Sequence, residues 1–233
     1  MTAAGTPDDP YRMFLVLRRG AITTLARAGE LGGAAAVACV TTFQDDPAYT
    51  DAFAAWHDRP GKVCLRARNE SQWRAVLQEP HALAGDPEHE AVAALLPRRR
   101  SRRGPLLERL QAMSSALAPP PPTADPDDDR PALTYVLNPD AVMSSGKTVA
   151  QIAHAAVMAA EDPRLETWVA AGCPGRVLAP DAGGFAVAAA DAARVACVAD
   201  AGLTEVAPGT VTVVALAPAA ASALPAPLRA GPS

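Results

Sequence analysis

Lysine is almost absent from this chain. Of its 21 basic residues, 19 are arginine and only Lys62 and Lys147 are lysine. Arginine stays protonated and presents a planar fork, so it is a poor replacement for a compact, tunable ammonium. The lysine retained at position 147 therefore points to a place where an ammonium is wanted. Aromatic residues make up 4% of the sequence, which leaves a core of small side chains with Trp56, Trp73 and Trp168 as its large anchors. The four cysteines, at positions 39, 64, 173 and 197, show no Cys-x-x-Cys spacing. This argues against a zinc ribbon or a dithiol redox motif and suits small buried thiols in a reducing cytoplasm. His57, His81 and His89 have no ligand-like partners, so neither a metal nor a cofactor is expected. No apolar run approaches the ~18 residues that span a bilayer, and residues 1–13 lack the basic-then-apolar pattern of a signal. A cytoplasmic protein with no membrane partner is expected. A net charge of −4 and a pI near 5.6 do not describe a general nucleic-acid binder.

What is present is concentrated in residues 132–160. Residues 133–137 form a short apolar run with the β-branched and aromatic content of a buried strand. A polar loop ending in Ser144-Ser145-Gly146 follows, and a helix opens at Lys147. At about 100° per residue, Val149, Ile152, Ala153, Ala156, Val157 and Ala160 share one broad face. Lys147, Gln151, His154 and Met158 fall in a stripe of roughly 60° on the other side. The helix thus buries one face and presents an ammonium, an amide and an imidazole on the opposite one.

Met143-Ser144-Ser145-Gly146-Lys147, then Ala150-Gln151 and His154-Ala155, resembles the strand–loop–helix signature of type-2 peptidyl-tRNA hydrolases. A second block, Asp200-Ala201-Gly202-Leu203-Thr204-Glu205-Val206-Ala207-Pro208-Gly209-Thr210, is similar to that family's Asp-Ala-Gly-x-Thr-x-Ile-x-Pro-Gly-Ser segment. The resemblance covers residues 131–218. It implies hydrolysis of the ester of peptidyl-tRNA, with Lys147, Asp200, Thr204 and Gln151 as the catalytic set. Ser145, Gly146, His154, Pro208 and Gly209 would then contact substrate, although His154 also reads as a hydrogen-bonded packing histidine. The helix start at Lys147 would offer its partial positive charge to an oxyanion or a phosphate. The family's further lysines are missing at Val142 and Ser145. Arg98, Arg99, Arg100, Arg102 and Arg103 are candidates to replace them on tRNA phosphates. Two other readings stay open: a non-catalytic relative that binds RNA or a nucleotide, and a divergent member acting on another small ligand.

The first half runs through the same order of elements as the second. Residues 13–17 and 133–137 read as strands, followed by an Ala-rich helix, an Asp-Pro helix start at Asp46-Pro47 or Asp162-Pro163, and a Pro-Gly turn into a strand. Pro60-Gly61-Lys62-Val63-Cys64 matches Pro174-Gly175-Arg176-Val177-Leu178 in character. A helix is expected over 184–199, then strands near 203–206 and 211–216. The expected class is α/β, with two tandem three-layer domains at 11–97 and 131–218, each a mixed four-stranded sheet with helices on both faces. Setting Leu17 against Leu137 places Arg27, Leu31 and Ala34 opposite Lys147, Gln151 and His154. Counting from the last strands places Glu79 and Leu83 opposite Asp200 and Thr204. The first copy thus reads as a scaffold without the site, and the chain as a monomer with an internal pseudo-dimer or as a homodimer. Between the copies, residues 98–130 pass from the arginine cluster through an amphipathic segment (106–117) to a Pro/Asp-rich stretch expected to be a stiff, solvated linker. Residues 219–233 are expected as a disordered tail.

Overall fold

The first apolar run is a strand, β1 (Tyr11–Arg18), and it begins a pattern that the chain repeats. The computed structural model describes residues 9–113, 116–202 and 204–230. After β1 come α1 (Leu25–Phe43), α2 (Thr50–Asp58), β2 (Lys62–Ala67), α3 (Glu70–Val76), β3 (His81–Gly85) and β4 (Ala91–Arg99). Helix α4 (Gly104–Arg109) and the short β5 (Gln111–Ala112) lead across to the second half. There the order is β6 (Ala132–Leu137), α5 (Ser145–Ala160), α6 (Glu166–Ala170), β7 (Gly175–Leu178), α7 (Ala182–Ala190), β8 (Arg194–Ala199) and β9 (Val211–Ala219).

The α/β class with mixed sheets is as expected. The second sheet has four strands in the order β7-β6-β9-β8, and the first runs β3-β4-β1-β2-β5. Without β5 the two orders are the same, with one parallel pair (β1/β2, β6/β7) and antiparallel pairs elsewhere. The fifth strand departs from expectation: residues 111–112 pair antiparallel with β2, Leu65 opposite Ala112. Alternation along β1 sends Met13, Leu15 and Leu17 into one cluster and Phe14 and Val16 into another with Trp73, Val76 and Leu107. In the second half Leu133, Tyr135 and Leu137 join the first cluster, while Val136, Val214 and Leu216 pack under Ala188, Leu224 and Leu228. Each sheet is therefore covered on both faces, and the two inner faces share one core.

That shared core is made by α1 lying along α5. A side chain at Gly29 would place its Cβ 2.5 Å from Ile152 Cδ1, and one at Gly32 would stand 2.8 Å from Val149 Cγ1. Because Thr24 caps α1 as Ser144 caps α5, Gly29 corresponds to Val149 and Gly32 to Ile152. Each position touches the other's counterpart, which is the reciprocal contact of a two-fold interface. It is formed here within one chain, with small residues on α1 receiving large ones on α5.

Several local expectations are corrected. Residues 194–199, read as the end of a helix, are strand β8; α7 stops at Ala190 and Asp191 turns the chain. Helix propensity is a weak prior even for alanine, the strongest helix former, and pairing with β9 decides the segment. The expected strand near 203–206 is replaced by a loop, with Leu203 outside the described residues. Asp46 caps no helix; α2 begins at Thr50 and the Asp46 carboxylate accepts the Ala48 amide in a turn. The Pro-Gly turns are out of step by one residue, since Met13 pairs with Lys62 whereas Leu133 pairs with Gly175. The Pro/Asp-rich stretch is not a free linker: Ala124 is buried, Asp128 pairs with Arg176, and Pro121 accepts the Ala179 amide. The expected tail is ordered through residue 230, with Leu224 and Leu228 buried; residues 231–233 lie outside the described residues. Among the described residues no helix is long and apolar enough to cross a membrane, and no cluster of three or more ligating side chains could hold a metal ion.

Candidate active site

Helix α5 starts where Ser144 accepts a hydrogen bond from the Lys147 amide, 3.3 Å away. This sets the polar stripe of the helix along a cleft of about 650 Å³, and Lys147, Gln151, His154 and Met158 all line it. Asp200, just past the end of β8, faces them. Its Oδ2 accepts from Lys147 Nζ and, at 2.5 Å, from Gln151 Nε2, while its Oδ1 accepts from the Gly202 amide at 2.8 Å. The Asp200 side chain keeps 6% of its exposure and that of Lys147 16%. Gln151 is held from behind: the Thr212 hydroxyl lies 3.2 Å from both Gln151 Oε1 and the Val198 carbonyl, and donates to either. This relay fixes the amide so that its N–H faces Asp200. Burial opposes ionisation of Asp200, but the Lys147 hydrogen bond, the Gly202 amide, the Lys147 charge and the Gln151 amide outweigh it. The carboxyl titrates below its ordinary range.

The other candidates divide. Thr204 is exposed and lines the same cleft. Ser145 and Gly146 turn the opposite way. Ser145 Oγ accepts the Leu117 amide, and the backbone carbonyl of Met113 sits against Gly146 with no room for a Cβ. Both serve the packing of Met113 and Leu117 against α5 rather than the cleft. Pro208 packs on Gly202, and the Gly209 amide donates to the Asp200 carbonyl, so these two close the loop that carries Asp200. The helix start is already occupied by a carboxylate. Glu205 accepts from the Ser144 amide at 2.6 Å and from its hydroxyl at 2.8 Å, which removes α5's N-terminus as a phosphate seat.

The arginine cluster also divides. Arg98 pairs with Glu79, Arg99 stacks over Tyr11, and Arg102 lies near Asp9. Arg100 and Arg103 reach the cleft, where neither has a carboxylate partner among the described residues. Two further cations from the first half, Arg12 and Lys62, line it as well. Sequence reasoning missed both. Arg12 carries no local signal, but Lys62 had one, being the only other lysine. Strand register also revises the internal comparison. Ala84 pairs with Val92 as Val198 pairs with Val213, and the amides of Asp86 and Asp200 bond to Glu90 and Thr210 in the same way. Asp86, not Glu79, is the counterpart of Asp200. Thr204 has none, because the loop after β8 is longer than the loop after β3.

A buried carboxylate that orients an ammonium at the mouth of a basic cleft suits chemistry that develops negative charge on a substrate, as in acyl transfer to water. The family model described as Peptidyl-tRNA hydrolase PTH2 matches residues 132–228, from the first residue of β6 to the buried Leu228. The resemblance read from the sequence is borne out over this second half, which carries the Lys147–Asp200 pair. The match runs past residue 218 and takes in the segment beyond β9, which packs back on the sheet.

Proposed function

We propose that the protein hydrolyses the ester of peptidyl-tRNA, releasing peptide and tRNA, and that the two halves act as tandem copies of one fold in which only the second, within residues 131–218, keeps the catalytic set. The observation that carries this reading is the Lys147–Asp200–Gln151 constellation, opening onto a cleft whose remaining charged walls are Arg12, Lys62, Arg100 and Arg103. The one carboxylate among these lining residues is already matched by Lys147, and Arg100 and Arg103 have no carboxylate partner among the described residues, so an otherwise acidic chain presents a locally cationic cleft. An anionic RNA end carrying an acyl ester fits that balance. Lys147 Nζ is the counter-charge for the oxyanion formed when water adds to the ester carbonyl. Thr204, on the rim, offers a hydroxyl to substrate.

The test is release of labelled peptide from N-blocked aminoacyl-tRNA. Wild type should turn over, and Lys147→Ala should lose roughly two to three orders of magnitude in kcat, the scale of one lost oxyanion partner. Binding of the RNA without release, by wild type at high concentration, would establish the non-catalytic reading instead. The basic wall makes a separate forecast. Arg100→Ser with Arg103→Ser should weaken tRNA binding about tenfold with little change in kcat. It should also flatten the plot of log affinity against log salt by roughly 1.4, about 0.7 per single-strand phosphate contact.

A further inference from the structure

Both lysines of the chain stand in this one cleft, one from each half, although only Lys147 lies in the family-matched region. Lys62 opens β2 at the register position that Gly175 holds in the second sheet, so the fold itself does not ask for a lysine there. Its Nζ lies 3.2 Å from His154 Nδ1 and 4.6 Å from the centroid of the Trp56 ring. Trp56 is itself anchored, its indole N–H donating to the Gly61 carbonyl at 2.9 Å. As an ammonium Lys62 can only donate, so His154 Nδ1 then accepts and the imidazole proton sits on Nε2.

The charged and titratable groups around this pair are Glu161 after α5, Cys39 on α1, Arg12 on β1 and Lys147 on α5. Burial pushes the Lys62 amine down to about 7, with Glu161 and Cys39 offsetting part of the effect. Asp200 and His154, the other acid–base groups beside the two lysines, are already committed. Both oxygens of Asp200 are engaged. His154 has Nδ1 occupied, and burial together with the charges of Lys62, Lys147 and Arg12 keeps its ring neutral.

We propose, resting on the hydrolase reading above, that Lys62 is the proton-exchanging group of the cleft, supplied by the first half to the machinery of the second. As a free amine it keeps one N–H on His154 and turns its lone pair to the cleft. It takes a proton from water as the water oxygen bonds to the ester carbonyl carbon and the carbonyl electron pair moves onto oxygen beside Lys147. When that pair returns, the bond from carbon to the ribose oxygen breaks, and the Lys62 ammonium gives its proton to the departing oxygen. The peptide acid loses its remaining proton to solvent, and the amine is restored.

The experiment compares kcat/KM from about pH 5.5 to 9 for wild type, Lys62→Arg and Lys62→Met on N-blocked aminoacyl-tRNA. Wild type should rise through pH 7 and level off. Both variants should lose at least about a hundredfold at the plateau, the range for a positioned proton carrier, and with it the limb near 7. Lys62→Arg keeping both the wild-type rate and the limb would reduce Lys62 to a phosphate contact and overturn the proposal, while leaving the hydrolase reading in place. A wild type that releases no peptide would overturn the hydrolase reading and this role together. Competitive acylation of the full chain with acetic anhydride, read by peptide mass spectrometry, reports on Lys62 directly. Its labelling should have a midpoint near pH 7, and a midpoint above about 9 would overturn the proposal whatever the activity.

Discussion

Asp200→Asn should abolish most activity while leaving the fold in place. The carboxylate accepts from Lys147, Gln151 and Gly202 at once. An asparagine has one acceptor oxygen, and its amide would turn N–H groups toward an ammonium or toward the Gln151 amide. A flip of Gln151 would answer the new N–H groups, with Thr212 accepting from it and donating to the Val198 carbonyl, but would leave Lys147 facing no negative charge. Lys147 would lose both its counter-charge and its direction, and kcat/KM should fall by about two to three orders of magnitude. Removing one partner of a fully buried pair costs about 3–5 kcal/mol. Lys147 keeps 16% of its side-chain exposure, so about 1–3 kcal/mol is expected here. Because the Asp200 pKa is lowered in the folded protein, its contribution is fully present above the unfolded value near 3.9 and is lost as pH falls through the folded value. Urea denaturation of wild type and variant should therefore differ at pH 6 and converge in strong acid. Equal activity of the two proteins would remove Asp200 from the catalytic set.

The site was legible in the sequence wherever it lies on one helix. Lys147, Gln151, His154 and Met158 were grouped by a 3.6-residue period alone, and all four line the cleft. Asp200 and Thr204 came through the second motif, and both reach it. Residues that enter from the first half could not be read this way. Arg12 and Lys62 meet α5 only because α1 and α5 pack the two sheets back to back, and no local pattern encodes that contact. Local composition also misled where one or two anchors decide the outcome. Residues 118–130 have the look of a solvated linker, yet Ala124 and the Asp128–Arg176 pair fix them to the second sheet. The element order of the fold was recoverable because each strand and helix shows its own period. Register was not, since β2 and β7 are short parallel strands that read as nearly continuous apolar runs, and such runs show no alternation to mark a slip of one residue at Lys62 against Gly175.

Gly32→Val should loosen the joint between the halves and, through it, the site. The new Cβ would lie 2.8 Å from Val149 Cγ1, and a valine on a helix has little rotamer freedom with which to retreat. Overpacking of this kind costs about 1–3 kcal/mol, only partly offset by the few tenths of a kcal/mol gained when glycine leaves a helix interior. Val149→Ala alone should cost roughly 1–2 kcal/mol, since it opens space against the same glycine. Together the two changes restore a large residue facing a small one, with the sides exchanged. The double variant should then be more stable than the sum of the single effects allows, by about 1–2 kcal/mol, as neighbours that share one contact are expected to be. Activity should follow the same order. Lys62 and Arg12 face Lys147 and Asp200 across this joint, and a displacement of about 1 Å at such a site costs up to a hundredfold. Additive stabilities from urea titration of the four proteins would mean that α1 and α5 do not set the spacing of the two halves through this pair.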